Sequence, residues 1–172
     1  MARLAMEIER KYLIRRPTEE LLRALPESDV TEITQTYLQT DETGRMRRVR
    51  KRGSVQKGWQ YTYTCKQEAG FGAKLEMEDE IEESQYLALL EEADPSKQPV
   101  YKARWCFVFQ KQFFELDVYA FSDTLATLEI ELPDINTPVQ LPPQLDILAD
   151  VTGDGRFSNF ALSQTLAFPE LA

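Results

Sequence analysis

Charged residues recur two positions apart along this chain, and residues of these types can bind ions. Near the start, Glu7 and Glu9 are followed by Lys11 in the same alternation. Arg48 and Arg50 repeat the spacing with positive charge. Arginine forks match phosphate oxygens, and carboxylates bind hard cations such as Mg²⁺ or Mn²⁺. Together the two kinds of group point to a site for a polyphosphate with a divalent metal.

Histidine is absent from the sequence. This excludes a Ser-His-Asp or Cys-His nucleophile, a histidine general base and the usual catalytic zinc site. Any catalysis must therefore use carboxylates, lysines, arginines, tyrosines or hard metals. Cys65 and Cys106 stand outside any motif. Without a recognisable signal peptide, we expect free thiols and a cytoplasmic location.

The overall composition is that of an ordinary globular protein. The chain has 172 residues, of which 42% are hydrophobic and 28% charged, so we predict one domain over residues 1–172. The net charge of −9 argues against a general nucleic-acid binder. No window has the apolar length of a membrane span, so we expect no membrane partner.

Strand-like segments follow one another closely and are joined by short polar turns, which is typical of an antiparallel meander. The predicted strands are 5–14, 33–39, 44–53, 59–67, 73–82, 99–109, 112–121 and 124–132. Helical patterns are few, at 17–25, 84–93, 142–151 and 158–166. The predicted fold class is therefore mainly β (α+β), with a few flanking helices.

Successive side chains of a strand point to opposite faces, and this alternation separates charged from apolar residues on nearly every predicted strand. The charged faces hold Glu7, Glu9 and Lys11; Arg48, Arg50 and Arg52; Lys66; Glu76, Glu78 and Glu80; Lys102 and Arg104; Glu115 and Asp117; Glu129 and Glu131. An open sheet with one solvated face is one interpretation. Strands of a single charge sign favour another, an eight-stranded antiparallel closed β-barrel. Its charged lumen must balance both signs.

The ordered strand motifs resemble those of the CYTH family, the triphosphate tunnel metalloenzymes, and in particular its small bacterial members. Glu7-x-Glu9-x-Lys11 resembles the ExExK signature of the first strand. The later matches are Arg48-x-Arg50, Lys66, Glu78-x-Glu80, Lys102-x-Arg104, Glu115-x-Asp117 and Glu129-x-Glu131. The segment 151–163, with Arg156 and Asn159, is similar to the closing segment of those members.

The resemblance implies a tunnel that binds a triphosphate and Mg²⁺ or Mn²⁺, with roles for particular residues. The implied phosphate ligands are Lys11, Arg48, Arg50, Lys66, Lys102 and Arg104. The implied metal ligands are Glu7, Glu9, Glu129 and Glu131, and the catalytic set is Glu7, Glu9 and Lys11. Additional acidic tunnel residues are Glu78, Glu80, Glu115 and Asp117, with Arg156 as a tail contact. Arg52 is not required by the family pattern, and we predict it at the tunnel mouth.

The function that the resemblance favours is metal-dependent hydrolysis of inorganic tripolyphosphate to pyrophosphate and orthophosphate, by in-line attack of water. Alternatives on the same fold are a class IV adenylate cyclase, a thiamine or nucleoside triphosphatase, and a non-catalytic polyphosphate-binding module. An open β domain that recruits a basic protein is an alternative outside the family. The expected partner is a small-molecule triphosphate, and the expected assembly is a monomer or homodimer.

Overall fold

The computed structural model describes residues 3–42, 44–70 and 73–171, and the side chains of 8–42, 44–67 and 75–171. Its strands are β1 (Arg3–Arg15), β2 (Asp29–Tyr37), β3 (Met46–Ser54), β4 (Gly58–Gly70), β5 (Ala73–Ile81), β6 (Val100–Phe109), β7 (Gln112–Tyr119), β8 (Leu125–Glu131) and β9 (Ile147–Asp150). Its α-helices are α1 (Glu19–Ala24), α2 (Glu83–Leu89) and α3 (Asn159–Thr165), with 3₁₀ turns at Leu90–Glu92 and Gly155–Phe157. The mainly antiparallel β architecture that the alternation predicts is confirmed.

The strands form one sheet in the order β5-β4-β3-β2-β6-β7-β8-β1-β9. Every pairing is antiparallel, and β1 additionally pairs with β5 through residues 3–8 opposite 73–78. All eight predicted strands are present. The largest displacement is in β2, which begins at Asp29 where the alternation predicted residue 33.

A ninth strand, β9, replaces part of a predicted helix. The helix expected over 142–151 is wrong: residues 147–150 are extended and pair with β1, with Leu13 opposite Ala149. Two prolines before the segment resemble a helix entry, but a segment this short has little intrinsic helical stability. Pairing with a neighbouring strand therefore decides its conformation.

β9 also accounts for Arg10, a charged residue on the otherwise apolar face of β1. A lone charge on an apolar face is expected to lie near a rim or to reach water. The Arg10 guanidinium pairs with Asp150, and Nε donates to Thr152 Oγ1 at 3.2 Å. The arginine is partly exposed, so both the solvent and the β9 segment satisfy its charge.

The main hydrophobic core lies on the apolar face of the sheet. Phe107, Phe114, Leu116 and Leu128 are fully buried there, and the Phe107 and Phe114 rings stack with centroids 5.2 Å apart. Leu22 of α1 packs against the same cluster. Burial of each such side chain stabilises the fold by about 1.5–3 kcal/mol, which fixes the direction in which the opposite, charged face points.

The helices predicted near 17–25 and 84–93 are present as α1 and α2, and both pack against the apolar face of the sheet. Thr18 caps α1 by accepting a hydrogen bond from the Leu21 amide at 3.2 Å. Tyr86 of α2 packs against Val49 and Tyr61. None of the helices in the described ranges is long and apolar enough to cross a membrane.

The C-terminal helix α3 packs against the other face of the sheet. Ser158 caps α3 as predicted, accepting from the Ala161 amide at 3.0 Å. Leu162 of α3 is buried against Val100 and Tyr119, and Tyr119 lies directly opposite Lys102 on the charged face. This helix therefore contacts the inner, charged side of the sheet, because apolar residues replace charges at that end of the strands.

Candidate active site

The strand register brings the predicted charged faces onto one side of the sheet. Lys11 lies opposite Glu129, and Glu129 lies opposite Glu115. Arg104 lies opposite Asp117 in the same way. Directly opposed residues in an antiparallel pair point to the same face. The alternation within each strand and the register between strands therefore place these side chains on a common surface.

A cavity of about 330 Å³ lies over this surface. Its charged lining residues are Glu9, Lys11, Arg48, Arg50, Arg52, Lys66, Glu76, Glu78, Arg104, Glu115, Glu129 and Glu131. They comprise six cationic and six anionic side chains. All but Glu76 and Arg52 belong to the set of predicted site residues, and Arg52, predicted at the mouth, also lines the cavity.

Three arginines of β3 form a row along the cavity with no carboxylate partner within ion-pair distance in the described part of the chain. Arg48 is buried, and its Nε has no hydrogen-bond partner among the described residues. Arg52 donates from Nε to Thr31 Oγ1 at 3.0 Å and from Nη2 to Cys106 Sγ at 3.5 Å. Buried, incompletely bonded guanidinium groups are costly, so this row is suited to an anionic ligand that supplies acceptors.

Arg50, the middle residue of the row, is held by a neutral side chain. Its Nε and Nη2 donate to Gln35 Oε1 at 3.0 and 2.7 Å. Burial, together with repulsion from Arg48 and Arg104, lowers the pKa of Arg50 to about 9. The positive potential that depresses this pKa is the potential that a phosphate anion would relieve.

The basic residues of β6 are paired with carboxylates of β7. Arg104 forms a fork with Asp117, with Nε to Oδ1 at 2.8 Å and Nη2 to Oδ2 at 2.9 Å. Arg104 Nη1 donates to Glu115 Oε2 at 3.1 Å, and Lys102 Nζ donates to Asp117 Oδ2 at 2.7 Å. We name these four residues, Lys102, Arg104, Glu115 and Asp117, the paired cluster.

The pKa values in the paired cluster follow from burial and from its internal pairing. Burial lowers the pKa of Lys102 to about 7 against the opposing attraction of Asp117. Burial favours the neutral form of Asp117, but Arg104 and Lys102 outweigh it and hold that pKa well below its ordinary value. Arg104 keeps its charge because the Asp117 fork outweighs its burial and raises its pKa. The Asp117 carboxylate thus stays ionised in a nearly dry site.

Lys11 connects β1 to β8 and to the C-terminal segment. Its Nζ donates to the Phe157 carbonyl at 2.7 Å and lies 3.3 Å from Glu129 Oε1. Burial would raise the pKa of Glu129, but the attraction of Lys11 and of the neighbouring cations lowers it to about 2. Glu129 is therefore an anion at neutral pH.

The opposite wall of the cavity is rich in carboxylates. Glu9 lies directly opposite Glu131 on β1 and β8, and Glu115 lies opposite Glu129 on β7 and β8. Like charges directly opposed across strands repel each other. Arg104 offsets the charge of Glu115 and Lys11 that of Glu129, and a divalent cation would add to this compensation.

The oxygen donors of this wall are those that Mg²⁺ and Mn²⁺ prefer. Within the described residues, however, no three of the His, Cys, Asp or Glu side chains form a cluster that could hold a metal. Glu7, the fourth predicted metal ligand, follows the alternation on β1, but its side chain lies outside the described set. The types of donor thus suit a divalent ion, but the described side chains are not gathered into a metal site in this structure.

Four of the predicted site residues whose side chains the structure describes do not line the cavity. Lys102 and Asp117 are buried beneath it in the paired cluster. Glu80, at the end of β5, is exposed. Arg156 is exposed and pairs with Asp154, with Nη2 to Oδ2 at 2.6 Å, so it is a tail residue that stabilises its own turn.

Two residues of β2 that lie at the site, Gln35 and Tyr37, are absent from the predicted set. Tyr37 lines the cavity, and Gln35 is fully buried beside Arg50. Both lie within the predicted second strand, and their alternation would have placed them on the inner face. A search for charged residues passes over them because they are neutral.

A second cavity of about 820 Å³ adjoins the first and shares Glu9, Lys11, Met46, Lys66, Ser158 and Phe160 with it. Its further lining includes Arg45, Gln67 and the turn 151–155. Phe160 also contacts the edge of Tyr37, with ring centroids 5.4 Å apart. We name this second cavity the vestibule.

Among solved structures, the chain is similar to an inorganic triphosphatase, NE1496. One structure of that triphosphatase aligns with a TM-score of 0.60 at 27% identity, covering 92% of this chain and 95% of the other. A second NE1496 structure, described as a hypothetical protein, aligns with the same TM-score at 28% identity, covering 95% and 99%. These alignments confirm the resemblance to the CYTH family that the strand motifs predict.

A more distant neighbour shares the fold alone. It is a candidate adenylate cyclase from Bacillus halodurans, with a TM-score of 0.56 at 17% identity over 76% of this chain and 82% of the other. No known family profile matches the sequence. No curated protein sequence matches it either.

Proposed function

We propose that this chain, which resembles the CYTH family in its strand motifs and in its structure, is a divalent-metal-dependent triphosphatase. The preferred substrate is inorganic tripolyphosphate, converted to pyrophosphate and orthophosphate. The observation that carries the proposal is the cavity lined by six cationic and six anionic side chains. A polyphosphate with a divalent cation is the kind of ligand that uses both signs in one site.

The cationic side of the cavity would bind the phosphate chain. Arg48 and Arg52 have donors directed at no carboxylate, and Lys66 adds a charge from β4. Phosphoryl transfer depends mainly on positioning and on neutralising charge. These residues would hold the chain in line and offset the charge that its oxygens bear during transfer.

The anionic side would hold Mg²⁺ or Mn²⁺ through Glu9, Glu129 and Glu131, with Glu7 as the fourth ligand. When bound, the metal supplies Lewis-acid polarisation of phosphate oxygens. Glu7 and Glu9 would orient the attacking water and accept its proton. Lys11, next to Glu129, would contact the phosphate that is transferred. This assigns Glu7, Glu9 and Lys11 as the catalytic set.

The site would lie in a tunnel if strands β1 to β8 close into a barrel, and we include closure in the proposal. Its support is that β1 pairs with β8 through residues 9–15 and with β5 through residues 3–8. Cysteines at the opposed positions Met6 and Leu75 should form a disulfide on oxidation. Both pairs are placed in a Cys65→Ser background, because the native Cys65 lies directly opposite Met77. Cysteines at Met6 and Met77, which are out of register, provide the control, and equal cross-linking of both pairs would contradict closure.

A substrate panel tests the activity. Tripolyphosphate, pyrophosphate, thiamine triphosphate and ATP are incubated with Mg²⁺ or Mn²⁺, and the products are identified. We expect orthophosphate and pyrophosphate from tripolyphosphate, and no turnover after chelation. Tight tripolyphosphate binding without turnover would instead indicate a polyphosphate-binding module. The absence of both binding and turnover would reject the proposal.

An organic triphosphate is the second candidate substrate, and the vestibule favours it. This cavity is larger than the charged one and has Met46, Val151 and Phe160 in its lining. It could contain a base or ring attached to the end of a triphosphate. Formation of cyclic AMP and pyrophosphate from ATP, with tripolyphosphate untouched, would select the cyclase over the tripolyphosphatase.

A further inference from the structure

Gln35 of β2 is a polar side chain with no exposed surface, and both ends of its amide are used. Its Oε1 accepts two hydrogen bonds from Arg50, at 3.0 and 2.7 Å. Its Nε2 donates to Tyr37 Oη at 2.8 Å. An amide oxygen has two lone pairs, so Arg50 saturates it. The amide thus connects two side chains that line the cavity.

The neutrality of Gln35 distinguishes Arg50 from Arg104. The Asp117 and Glu115 carboxylates that bond Arg104 compensate its charge. Gln35 accepts from the same two guanidinium nitrogens of Arg50, Nε and Nη2, through its single oxygen and adds no negative charge. Arg50 is therefore fixed in orientation while its positive charge stays available to an anion. A guanidinium has five N–H donors, and the two taken by Gln35 leave about three for other acceptors.

The bond to Tyr37 has a second effect. Because Tyr37 Oη accepts a hydrogen bond from Gln35, the phenol proton does not point at the amide. A phenol can donate one hydrogen bond as well as accept. The hydroxyl can then donate to an acceptor in the cavity, which gives the site a neutral donor beside the arginine row.

We propose that Gln35 is a positioning residue, which orients Arg50 and Tyr37 toward the phosphate chain and leaves the charge of Arg50 uncompensated. The proposal rests on the proposed triphosphatase function for its consequence, but its geometric part concerns Arg50 alone. It assigns to β2, a strand without charged residues at these inner positions, a role in setting the affinity of the basic wall.

Two variants separate positioning from charge. Gln35→Glu keeps the shape and the acceptor atoms but adds a carboxylate that would neutralise Arg50. We expect this variant to fold and to bind tripolyphosphate about tenfold more weakly or worse, because a charge-assisted contact to phosphate is lost. KM and calorimetry both measure this affinity. Gln35→Leu keeps a similar volume but removes the oxygen that accepts from Arg50. Because the guanidinium is then no longer held in orientation, this variant should also bind tripolyphosphate more weakly. Gln39→Glu adds the same charge at an exposed position beyond β2 and is the matched control.

The pH profile gives a readout that a purely structural role would not change. In the native protein, burial and the neighbouring arginines lower the pKa of Arg50, so any loss of affinity from its deprotonation should occur at alkaline pH. In Gln35→Glu the new carboxylate should move that loss to higher pH. If Gln35→Glu matches the Gln39→Glu control in both KM and pH profile, the positioning role is rejected.

A nuclear magnetic resonance measurement on Arg50 does not depend on turnover. The Arg50 Nε–H signal should exchange slowly in the native protein and rapidly in Gln35→Leu, because the hydrogen bond to Oε1 is lost. Unchanged exchange would overturn the proposal even in an active enzyme. Conversely, slow native exchange lost in Gln35→Leu would support it even if the substrate panel shows no triphosphatase activity. The two proposals can thus fail separately.

Discussion

Arginines on two sides of the same cavity differ in their hydrogen-bond partners. Arg104 is bonded to two carboxylates, Asp117 and Glu115. Among the described residues, Arg48 of β3 has a buried Nε without a partner, and the hydrogen-bond acceptor of Arg50 is a neutral amide. The charge of Arg104 is compensated within the protein, whereas the charges of Arg48 and Arg50 would be compensated by a bound anion.

The difference shows that motif membership and ligand contact are separate properties. Lys102 and Arg104 form one basic motif, yet the Lys102 side chain is fully buried against Asp117. A buried ion pair gives little net stability, but removal of one partner is costly. The paired cluster should therefore control folding, and the β3 arginines should control binding.

The largest expected effect is on stability, in Asp117→Asn. This variant leaves Arg104 and Lys102 buried without their carboxylate, and should lower the free energy of unfolding by about 3–5 kcal/mol. Chemical denaturation measures it. Asp146→Asn, which removes a carboxylate from an exposed pair with Arg15, is the control. Equal stability of the two variants would contradict the view that the paired cluster controls folding.

A large effect on activity, with little on stability, is expected for Arg48→Gln. Loss of one preorganised donor typically costs about 10²- to 10³-fold in rate, so kcat/KM for tripolyphosphate should fall by about that factor. The unfolding free energy should be unchanged or higher, since a buried unbonded guanidinium is removed. Arg47→Gln, on the opposite face of β3 and bonded to Tyr63 and Glu92, should retain activity. The reverse pattern would mean that Arg48 is structural.

An effect of pH on stability follows from Glu129. Its pKa is lowered in the fold from 4.5 to about 2, so the unfolded chain binds more protons in that interval. Its contribution is present above pH 4.5 and is lost as the pH falls toward 2, up to about 3 kcal/mol. Denaturation at several acidic pH values should show this slope, and Glu129→Gln should flatten it. An unchanged slope in the variant would assign the loss to other carboxylates.

The smallest effect is expected for Arg156→Gln. Arg156 is exposed; within the described part of the chain its hydrogen bonds go to Asp154 in its own turn, and its guanidinium lies over the ring of the adjacent Phe157. Exposed ion pairs contribute little. Neither kcat/KM nor the melting temperature should change measurably. A clear rise in KM would show that Arg156 contacts the substrate, as the family resemblance implies, and would extend the ligand-binding group into the C-terminal segment.

The sequence predicted most of the strands and most of the cavity lining. It did so because alternation in a strand is a local property, and charges on one face of β3 or β5 are visible without neighbours. It failed for β9, where residues 147–150 have no strong pattern of their own and pairing with β1 decides the conformation. It also passed over Gln35 and Tyr37, whose importance depends on Arg50 of the adjacent strand.

The sequence by itself determined which side chains share a face and which charges must be brought out of contact with the apolar core. The tertiary structure alone decided which of those charges are compensated. Asp117 and Gln35 lie on strands far from one another in the chain order, and each meets an arginine only through the register between strands. The pairing of charges depends on distances of a few ångströms between strands, and those distances are set by the sheet.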